Sequence, residues 1–134
     1  MAKRLLLLLL TLLPFLGKAS HIVGGEFELI HLNGYNYRLN MILYFDVING
    51  APGANDPFVD VRIFRSSDNF VMTNLRLLRI SEANVDYTQP ECSHGELITS
   101  KKFYSVDIVL PPELYNDPAG YYVAYERCCR NYNI

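Results

Sequence analysis

At 134 residues and a formal net charge of -2, with acidic and basic side chains interspersed, the chain offers no basic face for nucleic acid or an anionic membrane surface. Ten Tyr and seven Phe with no Trp, among many Val and Ile, favour pleated half-buried surfaces over helices. No repeat, low-complexity tract or linker interrupts the chain, so a single folded domain is expected.

The first element is a leader. Lys3 and Arg4 precede an apolar run from Leu5 to Leu16, and Gly17-Lys18-Ala19 places small residues three and one positions before a cut after Ala19. A spanning helix needs about 20 apolar residues; this run is shorter and contains Pro14. Residues 1–19 therefore read as a secretory signal peptide. Residues 20–134 read as the exported module, with no membrane span after the leader is removed.

Strands follow. Phe27 to Leu32 runs into Asn33-Gly34, a short hairpin signal, and from Tyr35 to Val47 apolar residues alternate with Asn36, Arg38, Asn40 and Asp46. A two-residue loop sets Glu28 opposite Leu39, whereas a three-residue loop sets Leu29 opposite Leu39 and Phe27 opposite Met41. Residues directly across a ladder share a face, so the odd-length loop with a bulge is expected. A loop rich in Gly, Pro, Asn and Asp spans Asn49 to Pro57, then Phe58 to Phe64 and Phe70 to Ile80 read as strands. Tyr104, Val106, Ile108 and Leu110 alternate until Pro111-Pro112, where neither proline can donate to a ladder.

Asp117-Pro118-Ala119-Gly120-Tyr121-Tyr122-Val123 has the D-x-A-x-Y pattern that opens strand F of immunoglobulin-like sandwiches. In that corner a tyrosine hydroxyl bonds back to the preceding loop backbone. Tyr121 is the candidate, with Asp117 at the start of the corner. The fold class expected is all-β, an immunoglobulin-like β-sandwich. With only Asn131 to Ile134 left for a last strand, the expectation is a sandwich lacking that strand, as the front part of a longer protein or completed by a partner.

Export permits disulfides, and three cysteines, Cys92, Cys128 and Cys129, leave one thiol over. A bridge from Cys92 to either of the adjacent pair closes a loop of about 36 residues, worth about 3 to 4 kcal/mol on the chain-entropy model. Strict alternation from Tyr121, Val123 and Tyr125 points Cys129 inward, and one bulge would point Cys128 inward instead. Zinc spacing is absent: there is no C-x-x-C, and His21, His31 and His94 are scattered. Asp46, Asn49, Asn55, Asp56 and Asp60 cluster around the long loop and supply oxygen ligands of the kind calcium takes, although such residues also shape turns.

Catalytic motifs are absent from the sequence. Ile22-Val23-Gly24-Gly25 matches the new amino terminus of activated trypsin-like proteases, but no G-D-S-G-G segment and no Ala-Ala-His accompany it. Neither G-x-S-x-G, H-E-x-x-H nor a phosphate-cradling glycine loop occurs. The reading is a non-enzyme without cofactor.

The start Ser20-His21-Ile22-Val23-Gly24-Gly25-Glu26, the later Val109-Leu110-Pro111-Pro112 and the closing Tyr125-Glu126-Arg127-Cys128-Cys129-Arg130-Asn131 resemble the amino-terminal module of large exported surface proteins of the Bacteroidota, the gliding-motility-associated or PKD-domain proteins. The resemblance covers nearly the whole chain after the leader, and R-C-C-R-N is its specific part. It implies a module that precedes tandem β-sandwich domains and a sorting domain read by type IX secretion. Where the family pattern has a cysteine in a Tyr-Arg-Asp-Cys run, this chain reads Tyr44-Phe45-Asp46-Val47, and a cysteine following the one matching Cys92 is missing, so at least one family bridge is absent.

The functional expectation is a non-catalytic module of an exported cell-surface protein, adhesive or structural, whose partners are other domains, surface proteins or glycans. The alternative is a free-standing secreted carbohydrate- or calcium-binding module.

Overall fold

Among the described residues six strands account for most of the structure: β1 (Ile22–Asn33), β2 (Asn36–Asp46), β3 (Phe58–Arg65), β4 (Val71–Asn84), β5 (Thr99–Val109) and β6 (Tyr121–Ala124). The computed structural model describes residues 22–50, 52–86, 88 and 98–127. The leader, the cleavage point and Cys92, Cys128 and Cys129 lie outside the described residues.

The first hairpin sets the frame. Phe27 stands opposite Met41 and Leu29 opposite Leu39, the register expected from matching apolar faces. The loop itself is two residues, Gly34-Tyr35, not three; the odd residue is absorbed by a bulge between His31 and Asn33. Gly34 takes φ 52°, a left-handed conformation that suits glycine at a tight turn.

All pairings are antiparallel, and the order across the sheet is β1-β2-β5-β4-β3-β6. The hydrogen bonds form one continuous sheet, curled nearly into a barrel, where two separate layers were expected. The 14-residue β4 makes the difference. Its first half pairs with β3, from Val71 opposite Phe64 to Leu78 opposite Phe58; its second half pairs with β5, from Leu78 opposite Ser105 to Asn84 opposite Ser100. One strand thus carries the ladder from one side of the core to the other, as a bulged corner strand can.

Leu39, Met41 and Leu43 of β2, Val59, Val61 and Ile63 of β3, Leu77 of β4, and Tyr104 and Ile108 of β5 form the buried cluster. Full burial of such a side chain is worth about 1.5–3 kcal/mol, so this cluster is the main source of cohesion. Tyr121, Val123 and Tyr125 pack against it half-buried. At the β1 edge the cluster thins out: Leu29 shares a face with Leu39 yet remains 52% exposed.

Several boundaries differ from the sequence reading: β1 begins at Ile22 rather than Phe27, and two others bear on the site. β4 runs past Ile80 to Asn84, and β5 begins at Thr99, well before Tyr104. Both extensions are polar, which hides them from a search for apolar alternation, and both line the same site.

Candidate functional site: a charged cluster on the inner face

On β5 the residues facing the core are Ile108, Val106, Tyr104, Lys102 and Ser100, opposite Tyr37, Leu39, Met41, Leu43 and Phe45 of β2. Alternation therefore drives a lysine inward, and Lys102 is only 2% exposed. Its counter-charge comes from β4 through an irregularity. Arg79 stands opposite Tyr104, but Ser81 stands opposite Phe103, so Ile80 is an extra residue, 64% exposed. A bulge of one residue reverses the phase of the strand. Beyond it Glu82, rather than Ser81 or Ala83, faces inward directly opposite Lys102.

The long loop closes the site. Gly50 donates its backbone N–H to Asp46 O at 2.9 Å, and any Cβ at Gly50 would collide with that oxygen and with the Phe45 ring. A one-turn helix at Pro52–Ala54 follows, with Ala54 buried, and delivers Asn55 over the inner face. Lys102 Nζ donates to Asn55 Oδ1 at 2.5 Å, lies 3.4 Å from Glu82 Oε1, and sits over the Phe45 ring 4.1 Å from its centroid. Ser100 Oγ donates to Glu82 Oε1 at 3.0 Å, and Arg79 Nη1 lies 3.1 Å from Glu82 Oε2. Arg79 Nη1 also donates to Asn55 Oδ1. Tyr104 Oη donates to Asp56 O at 2.9 Å, and Arg127 clasps the loop through the Asp56 carboxylate and Gly53 O.

Burial pushes the Lys102 ammonium below its ordinary range against the opposing pull of Glu82. Burial also acts on Glu82, but the Ser100 hydroxyl, Lys102 and Arg79 outweigh it and hold that carboxyl below the usual value. Burial raises the Tyr104 phenol. The cluster thus contains an amine that burial presses toward neutrality, a carboxylate beside it and a carboxamide whose oxygen is held by two cationic groups.

The residues singled out from sequence go to separate places. Asp46 is buried and accepts from Ile48 N and Asn49 N, each at 3.0 Å, and from Asn49 Nδ2 at 3.0 Å. Asp56 pairs with Arg127, and Asp60 makes a two-pronged pair with Arg76 on the outer face. The proposed calcium ligands Asp46, Asn49, Asp56 and Asp60 are therefore not one site; the aspartates are spent on a turn and two arginines. Among the described residues no three His, Cys, Asp or Glu side chains converge. Tyr121 Oη accepts from Asp117 N at 2.9 Å and donates to Leu114 O at 3.3 Å, while its ring meets Tyr115 edge-on at 5.0 Å. Asp117 Oδ1 accepts from Ala119 N and its Oδ2 from Ser67 Oγ. The disulfide candidates Cys92, Cys128 and Cys129 lie outside the described residues.

Sequence reasoning passed over Lys102, Glu82 and Arg79. The available signal was Lys102 continuing the inward alternation of Tyr104, Val106 and Ile108; nothing local announced the bulge at Ile80. No family model, curated protein or solved structure matches this chain. Among the described residues no helix is long and apolar enough to cross a membrane.

Proposed function

We propose that this chain is a non-catalytic extracellular module, an immunoglobulin-like β-sandwich in an exported cell-surface protein, with an adhesive or structural role among other domains. The strand order carries the reading. In such sandwiches one layer has the order A-B-E-D and the other contains C beside F. Here β1-β2-β5-β4 reproduces the first series and β3-β6 the second, joined through β4. The Tyr121 hydroxyl bridging Asp117 N and Leu114 O, four and seven residues upstream, supports the same assignment, because a tyrosine at the start of strand F makes such bonds. In this frame β1 and β6 are the edges, and exposed Leu29, Ile30 and Leu32 on β1 suit contact with a neighbouring domain. The resemblance of the Ser20–Glu26 and Arg127–Asn131 segments to the amino-terminal module of Bacteroidota gliding-motility-associated and PKD-domain proteins, with export by the type IX route, belongs to the same reading.

The test is export itself. Expression of the full open reading frame in a Bacteroidota host, followed by protease treatment of intact cells and amino-terminal sequencing, should yield a surface-exposed product beginning at Ser20. A cytosolic product with its leader intact overturns the proposal.

A second reading, a glycan-binding module, is favoured by a groove of about 530 Å³ over β3, β4 and β6, walled by the Asp60–Arg76 and Arg62–Glu126 ion pairs. Saturable heats on titration with a glycan panel, abolished by Asp60→Ala, would establish it.

A further inference from the structure

We propose that Lys102 and Asn55 form an intramolecular isopeptide bond, made by the protein on itself with Glu82 as proton carrier and Arg79 as the group that holds the developing oxyanion. The chemistry needs four things together: an amine shielded from water, a carboxamide carbon within reach, a base for the amine and a donor on the carbonyl oxygen. All four meet at the end of the inner face, with Lys102 buried and Asn55 and Glu82 on its solvent side.

Reach comes first. Lys102 Nζ lies 2.5 Å from Asn55 Oδ1. With a carbonyl bond of about 1.23 Å, the carbon to be attacked can be no farther than about 3.7 Å away, near the separation of a reactive pair. Both residues are fixed, Lys102 by the β2–β5–β4 ladder and Asn55 by its backbone bond to Pro52 O and by Arg79. The attacking amine is shielded, Lys102 being 2% exposed beneath Phe45, while Asn55 and Glu82 lie on the solvent side of it.

The proton inventory closes without any outside reagent. Glu82 Oε1, 3.4 Å from Nζ, takes a proton from the Lys102 ammonium. The free amine attacks Asn55 Cγ, forming the Nζ–Cγ bond and pushing the carbonyl electron pair onto Oδ1. Arg79 Nη1, already donating to that oxygen, stabilises the charge. The intermediate collapses with rupture of Cγ–Nδ2. Glu82 returns its proton to the departing nitrogen and accepts a second from Nζ. Ammonia leaves, taking up that last proton as ammonium, and Glu82 ends as the carboxylate it began as. Nothing is oxidised or reduced. It is one irreversible event per molecule, compatible with a module that performs no turnover, and it does not depend on export.

The bond would join residues 47 positions apart across the loop that caps the core, tying β5 to the segment ahead of β3. A structural module subject to pulling or proteolysis gains a covalent clasp there.

The test is the intact mass of the purified mature protein, together with fragment sequencing of its protease digest. The folded wild type should be lighter than its sequence by one ammonia, with the peptides holding Asn55 and Lys102 recovered as one branched species. Lys102→Arg, Asn55→Ala and Glu82→Gln should each return to full sequence mass, with circular dichroism verifying that each is folded. The chain also contains Asn33-Gly34 and Asn49-Gly50, where cyclisation also expels ammonia, so an ammonia loss mapped there, with separate Asn55 and Lys102 peptides, overturns the proposal. So does a folded wild type of full sequence mass, whatever the variants do.

Discussion

Two halves of one strand face show how differently burial can be arranged. On the inner side of β5, Tyr104 and Ile108 lie among Leu39, Met41, Val61 and Leu77, where cohesion is a matter of apolar area and close packing. One inward position beyond Tyr104, Lys102 and Ser100 are equally deep, yet their neighbours are Glu82, Asn55 and Arg79. The apolar half tolerates any filling of the right volume. The polar half stands only if each partner is in place, because a buried charge without its counter-charge is expensive. No buried side-chain nitrogen or oxygen among the described residues lacks a partner, so the polar half is fully matched.

The largest effect should come from removing the carboxylate that the bulge turns inward. Glu82→Ala leaves Lys102 buried without its counter-charge, a loss of about 3–5 kcal/mol. Urea denaturation followed by fluorescence would read it, and the cross-link would vanish from the mass spectrum in the same sample. Asn55→Ala keeps Lys102 beside Glu82 and removes the clasp together with the Arg79 contact to Asn55 Oδ1. With a closed loop of 47 residues, the chain-entropy cost is about 4 kcal/mol. On the apolar side, Leu77→Ala at a fully buried position should cost about 3 kcal/mol through lost transfer energy and a cavity, with the covalent bond still formed. A Leu77 variant that lost the bond would show that the two halves are not separable.

Smaller effects lie away from the inner face. Tyr121→Phe removes the acceptor for Asp117 N and the donor to Leu114 O, and should lower stability by about 1 kcal/mol in the same denaturation assay. Smallest is the exposed turn after β3. The two-pronged hydrogen bond from Arg65, helped by Phe70 N, holds the Asp68 carboxyl down to about 2. Because the folded value is depressed, the stability this pair contributes is fully present above the ordinary carboxylate value and fades as pH falls toward about 2. NMR titration of the Asp68 carboxyl carbon should show that midpoint in wild type and a higher one in Arg65→Gln.

The same contrast explains what could be read from residues alone. The apolar half was legible: alternation from Tyr35 to Val47, the pairing of Phe27 with Met41 and the strand at Tyr104–Leu110 all follow from a period of two with one face buried. The polar half was not, because Thr99 to Lys102 looks like a solvated turn until β5 is extended through it. Glu82 faces inward only because Ile80 is looped out, and the pairing of Arg79 with Tyr104 that betrays the bulge is a long-range fact. Asn55 belongs to a loop whose composition suggested metal ligands, whereas its carboxamide meets a lysine 47 residues later. The continuous sheet was missed for a related reason: the length of β4 that lets it serve both β3 and β5 includes the polar stretch beyond Ile80.

The claim that this polar half is a reactive site, and not merely a satisfied ion pair, rests on the space between two side chains. A high-resolution crystal structure of the mature wild-type protein should show continuous density from Lys102 Nζ to Asn55 Cγ at an amide bond length of about 1.33 Å, with Glu82 and Arg79 flanking it. Two discrete side chains, Asn55 retaining its amide nitrogen and Lys102 a free ammonium, would contradict the account.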